Sequence, residues 1–186
     1  IRYFLMREVP FGNDGDFSNS QLINRINSDL ANGYGNLFQR VTSMIIKNCN
    51  AVIPIRPNDF QDEDLKLINS IRNSLQNYRS LMDEQKFDQF LKNIWLVISD
   101  ANKYVDNQAP WSLKKNDFQR MEVVLYTLIE TIRQISIMLQ PFIPNTSKSI
   151  LDHIQIPLVQ RDIKSIELFF DGGMKISKPK PLFPRV

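Results

Sequence analysis

The chain is poor in the residues that build compact chemistry. Among 186 residues there is one cysteine, Cys49, and one histidine, His153. A structural zinc site needs about four Cys and His ligands, so one of each excludes it. The two also lie in separate segments with nothing to bring them together, which argues against a catalytic dyad. No glycine-rich phosphate loop and no Ser-His-Asp spacing is present, and no catalytic residue is expected. Without a disulfide framework the chain fits a reducing cytoplasm. Six glycines are few, which favours long helices over a turn-rich β-protein. No run approaches the roughly 20 apolar residues of a membrane span, and no signal peptide is recognisable.

What remains is the composition of an ordinary globular protein, 42% hydrophobic and 23% charged. A chain of this length buries roughly 68–70% of its unfolded surface, enough for a core without staples. Lys and Arg number 23 against 20 acidic residues, for a net charge of +3. That balance permits contact with a polyanion and is equally that of a solvated mixed surface. The chain opens on IRYFLMREV, with no initiator methionine and already in an apolar, helix-like pattern. A segment cut from a longer soluble protein would start this way.

Apolar periodicity predicts helices throughout. Residues 1–9 read as the end of a helix with Ile1, Phe4 and Leu5 on one side, broken at Pro10 and followed by a turn at residues 13–16. Ser18 and Gln21 have capping-box spacing ahead of a stripe of Leu22, Ile26, Leu30, Tyr34, Leu37, Val41 and Met44. Gly33 and Gly35 sit in the middle of that helix, marking either close packing or a bend. After Pro54 and Pro57, with Asn58 or Asp59 as the cap, a second stripe runs from Leu65 to Leu81. A third runs from Phe87 to Val105 and halts at Ala109, because proline disfavours helix at the residue before it. A fourth spans about 117–139, and 145–154 reads as a short fifth. Together these predict an all-α fold, an antiparallel bundle of about five helices. Residues 157–186 carry Pro179, Pro181 and Pro184 and read as an extended C-terminal tail with one strand-like piece, in need of a surface to dock on.

Two places can touch a nucleic acid. In DANKYVDNQAPWSLKK a helix ends at Pro110 and Trp111 follows at once. A tryptophan held there is either a flat platform for an unstacked base or an apolar cap on the bundle. In YGNLFQRVTS, Asn36 and Arg40 are four residues apart and share a helix face. Asn can bond a base edge, and Arg can pair with a base or hold a phosphate. As a solvated surface pair they would do neither, and Arg40 could instead bridge to an acidic side chain on a neighbouring helix.

These segments resemble methionyl-tRNA synthetase. RYFLMREVPFGNDGDFS resembles the stretch that follows the catalytic domain in that family, in the stem-contact region. INRINSDLANGYGNLFQRV resembles the first helix of its anticodon-binding domain, DANKYVDNQAPWSLKK its most recognisable anticodon segment, and PKPLFPRV the end of its core. The resemblance implies that Trp111, held by Pro110, stacks on the first base of a CAU anticodon, and that Asn36 and Arg40 recognise anticodon bases. Asn107 departs from it, standing where relatives often carry an acidic residue after Asp106, and is not taken as a reader.

The resemblance further implies three divisions: 1–17 as the end of the stem-contact region, 18–156 as the helical anticodon-binding domain, and 157–186 as the tail. Methionine activation with ATP and magnesium belongs to the full enzyme. The fragment itself should hold no cofactor or metal and be inert in aminoacylation. Its expected partners are the tRNA for methionine, through anticodon loop and stem, and the catalytic domain of its own chain, with no DNA and no membrane. MKISKP in the tail loosely resembles the lysine-serine loop that some tRNA synthetases use for ATP, but a proline-rich tail is the wrong place for it. The rival readings are the bundle of a cysteinyl or valyl synthetase, and a structural or protein-binding bundle.

Overall fold

The computed structural model describes residues 1–15 and 17–183. Asp16, in the turn after the first helix, and residues 184–186, at the end of the PKPLFPRV stretch, lie outside them. The expected all-α architecture is present. Helices α1 (Arg2–Glu8), α2 (Asn19–Arg25), α3 (Asn36–Asn48), α4 (Asp62–Gln76), α5 (Tyr78–Asp83), α6 (Phe87–Gln108), α7 (Pro110–Asn116), α8 (Phe118–Met138) and α9 (Pro144–His153) follow in order. Two short 3₁₀ turns, Leu158–Gln160 and Ile163–Ile166, lie in the tail.

The bundle is organised around α8, which packs against α3, α4, α6, α7 and α9. Every residue from 124 to 139 is buried, so beyond its first turns this helix has no solvent face. Several of its polar residues are accommodated by local bonds. Thr131 Oγ1 donates to Thr127 O at 2.8 Å and Ser136 Oγ to Ile132 O at 2.8 Å. Arg133 bonds Glu130 at 2.7 and 2.8 Å.

α2 and α3 form one continuous helix through a π-helical stretch, Ile26–Gly35. Within it the buried positions Asp29, Leu30, Tyr34 and Gly35 recur at five-residue steps, the period of i→i+5 bonding. Of the two readings left open by the sequence, close packing is the one seen at the glycines. A Cβ at Gly35 would stand 3.1 Å from the Phe183 ring and 3.0 Å from Leu30 O, and one at Gly33 would stand 3.8 Å from Trp95 Nε1. Close packing and the widened turn thus occur at the same residues.

Several local expectations are corrected. In α1 the buried side is Tyr3 and Phe4, with Ile1 and Leu5 exposed, because Tyr3 reaches across to Asp29 at 2.6 Å and packs on Trp95. The cap of α4 is Gln61, not Asn58 or Asp59, because Asp64 completes a reciprocal box by accepting from Gln61 N at 2.9 Å. The second stripe is split at Asn77 into α4 and α5. PWSLKKN, which follows the break at Pro110, is itself the short helix α7.

The tail docks on this chain. Ile53 N donates to Met174 O at 2.8 Å, Gly173 N to Ile53 O at 2.9 Å, and Ile176 N to Ala51 O at 2.7 Å. An isolated bridge, Val52 with Lys175, is antiparallel. Gly172 has φ +76 where a Cβ would come within 2.1 Å of Pro54 O, so only glycine fits. The strand-like piece expected in the tail, IELFF at residues 166–170, is no strand. Its Phe170 stacks on Tyr126, and Arg133 holds the backbone oxygens of Ser165 and Leu168 at 3.1 and 2.6 Å.

Candidate functional site

α6 ends on an unusual corner. Ala109 adopts the left-handed conformation, φ 43 and ψ 58, and serves both as the last cap of α6 and as the residue before α7. For a residue with a Cβ that conformation costs roughly 1–2 kcal/mol, so the surroundings must hold it. Ala109 N bonds Val105 O at 3.1 Å, and Ser112 N returns to Ala109 O at 2.8 Å. Pro110 occupies the first turn of α7, where its missing N–H is no loss, and is buried.

Trp111 follows with 51% of its surface exposed. Among the described residues no other aromatic ring contacts it. Lys114 and Lys115, exposed in the last turn of α7, lie three and four residues on, the spacing of one helix face. The result is a half-exposed indole with two lysines at the spacing of its own helix face.

Arg40 reaches the same corner from α3. Its Nη2 donates to Asp106 Oδ1 at 2.6 Å, with the side chains 31% and 62% exposed. Asp106 lies in the last turn of α6, three residues before the left-handed Ala109. The bridge to an acidic neighbour left open by the sequence is therefore made, and it ties Arg40 to the corner that carries Trp111. Asn36 is exposed one turn earlier on α3, immediately after the π-helical stretch. It lines a cavity of about 490 Å³ whose far wall is Pro181, Leu182 and Phe183. Asn36 therefore borders the tail, whereas Arg40 borders the corner.

Asn107 turns to the other side of α6. It lines a cavity of about 460 Å³ shared with Lys66, Ser70 and Lys103, between α4 and α6. Sequence reasoning did not single out the polar residues behind the corner. Asp64 is fully buried, and Arg120 bonds it twice, at 2.6 and 2.8 Å. Burial works against the Asp64 carboxylate, yet hydrogen bonds from Arg120 and Tyr104 outweigh it and hold the group below its usual range. Arg120 Nη2 also donates to Gln108 Oε1 at 2.8 Å. Asp64 sits in a capping box, which is the one signal the sequence offered.

Among the described residues no three His, Cys, Asp or Glu side chains are placed to hold a metal ion. The MKISKP stretch is engaged with residues 51–53 through its backbone, which does not suit a nucleotide loop. Among the described residues no helix is long and apolar enough to cross a membrane.

Comparison with known proteins converges. Residues 56–186 match a family described as the anticodon binding domain of methionyl tRNA ligase, and residues 1–42 match class I tRNA synthetases (M). The chain is 42% identical over 186 residues to methionine–tRNA ligase of Brucella suis, covering all of this chain and 36% of the relative. It is 43% identical over 189 residues to that of Caldanaerobacter subterraneus, covering 30% of it. The chain thus spans about a third of the length of these curated relatives. Apo methionyl-tRNA synthetase of Mycobacterium tuberculosis superposes with TM-score 0.93 at 38% identity, over all of this chain and 38% of that one.

Proposed function

The chain belongs to the methionyl-tRNA ligase family, matching its anticodon-binding domain, and from that premise we propose that it reads the CAU anticodon loop of the methionine tRNA. The observation that carries the reading is the half-exposed indole of Trp111, next to the buried Pro110, at the end of the helix whose Asp106 is bonded by Arg40. An exposed indole offers a splayed base a surface with little to displace, and base stacking is worth about 1–3 kcal/mol by alanine substitution. Arg40, already desolvated on one side by α3 and α6, can exchange Asp106 for a base edge or a phosphate. Asn36 supplies a donor and an acceptor one turn away. Lys114 and Lys115 provide a counter-charge for the loop backbone.

In this reading residues 18–156 form the recognising unit, 1–17 connect it to the stem-contact region, and 157–186 brace it. Methionine activation with ATP and magnesium is assigned to the parts of the relatives that this chain does not span. The chain's own contribution is to bind the tRNA at one end and fix its distance from the catalytic domain, so that reading positions the acceptor. A cytoplasmic setting follows from the same reading.

The test is a titration of the chain with an RNA hairpin whose loop carries CAU, against one with the first base changed. Binding is followed by tryptophan fluorescence, with Trp111→Ala as the control. Preference for CAU that disappears with Trp111→Ala is expected. Equal, weak, salt-sensitive binding to both hairpins, unchanged by the substitution, would leave a structural bundle in which Trp111 is only a cap.

A further inference from the structure

We propose that Arg120, acting through Gln108, is a positioning residue that sets the attitude of Trp111; the inference rests on the anticodon-reading role of Trp111. α7 has only seven residues and packs on α8, so its orientation depends on how its two ends are held. One end is Asp117, whose side chain accepts from Arg120 N at 2.9 Å and caps α8. The other is Gln108, the last residue of α6, whose Oε1 accepts from Arg120 Nη2 at 2.8 Å. Arg120 therefore contacts both ends and closes the segment that contains Pro110 and Trp111 into a loop.

The anchor behind Arg120 is saturated. Asp64 accepts from Gln61 N, from Tyr104 Oη and from two guanidinium nitrogens of Arg120, which fills its lone-pair sites. A buried network with every member satisfied is rigid, and a fork bonded at both tines is fixed in plane. That rigidity is passed to Gln108 by a single bond. It matters there because the next residue, Ala109, holds a left-handed conformation that alanine does not favour by itself. Releasing Gln108 frees the corner to relax, and the indole swings with it.

The decisive comparison is Gln108→Met against Gln108→Glu, both made with Trp95→Phe so that Trp111 is the sole emitter. Methionine keeps the length and helix propensity of glutamine but accepts no bond of comparable strength, whereas glutamate keeps the acceptor oxygen. Both substitutions leave the bonds of Asp64 to Arg120 and Tyr104 in place, so the melting temperature should move by no more than about 4 °C. For Gln108→Met the expected result is lower fluorescence anisotropy of Trp111 in the free protein. Its affinity for the CAU hairpin should also fall about fivefold, the loss of one hydrogen bond's worth of positioning. Gln108→Glu should restore both. Unchanged anisotropy and affinity in Gln108→Met would overturn the proposal, as would a Gln108→Glu variant that behaves like the methionine one. The anticodon reading is judged separately by Trp111→Ala. If that variant binds the CAU hairpin as well as the parent, the reading itself fails. If it binds poorly while Gln108→Met binds normally, the reading stands and the positioning role falls.

Discussion

Arg133 and Arg40 each pair with a carboxylate, but Arg133 is 2% exposed beside a fully buried Glu130, while Arg40 is 31% exposed beside an Asp106 that is 62% exposed. The first pair is locked on every side, since Arg133 also holds two backbone oxygens of the tail and Gln134 bonds Glu130 at 2.7 Å. Nothing from outside can compete for it. The second pair is open to water and to any arriving acceptor, and its coupling is worth at most about 1 kcal/mol. The same chemistry is therefore enclosed at the centre of the bundle and open to solvent at its end. Arg120 lies between the two, anchored like Arg133 but reaching out to the corner that Arg40 approaches.

Breaking the central pair should have the largest effect. Arg133→Met strands Glu130 and releases the tail, and a loss of about 3–5 kcal/mol is expected in denaturant unfolding, as when one partner of a buried pair is removed. A midpoint close to that of the parent would mean that the buried pair is dispensable. At the other end the effect should move from stability to binding. Trp111→Ala should leave the unfolding midpoint near the parent value and reduce affinity for the CAU hairpin by about 1–3 kcal/mol, measured by titration. A variant that instead melts early and binds normally would make Trp111 a packing residue.

Arg40→Gln sharpens the contrast further. Its stability cost should stay within about 1 kcal/mol, while hairpin affinity falls and becomes less sensitive to salt. The reverse pattern, lost stability with intact binding, would put Arg40 with Arg133. The smallest effect is expected at His153. Burial holds its imidazole below the ordinary 6.5, with a backbone hydrogen bond to Ser177 opposing only in part. Well above pH 6.5 neither folded nor unfolded chain protonates it and this contribution is complete. As pH falls below that value the unfolded chain takes the proton first, so stability declines. His153→Gln should flatten that part of a melting-temperature profile, and a profile identical in the two proteins would remove His153 as its source.

The bundle was legible because helices with a solvent face write a 3.6-residue period, as α3, α6 and α9 do. α8 was located correctly, but the burial of its whole length from residue 124 on was hidden. Glu130, Arg133 and Gln134 look like surface residues until their mutual bonds are seen. The π-helical stretch left a faint trace, since Leu22, Ile26, Leu30 and Tyr34 step by four each time. The docking of the tail left none, because backbone bonds between residues 51–56 and 171–176 carry no side-chain code. At the candidate site, Trp111 and Arg40 stood out through the motifs around them. Gln108 lay inside the quoted segment unremarked, and its link to Asp64 passes through Arg120, which is separated from Asp64 by 56 positions.

The clasp between residues 51–56 and 171–176 also sets an order of events. Helical hairpins form early because their contacts are local, whereas a pairing across more than a hundred positions must await the later strand of the pair. On a ribosome, Ile53 and the connector around it emerge with no partner, and they stay uncovered until the tail is delivered. For that interval the half-made bundle exposes the apolar seam that Phe170 and Ile176 later close. A chain interrupted before residue 171 would keep the corner at Ala109 but remain unsealed, a substrate for chaperones and proteases.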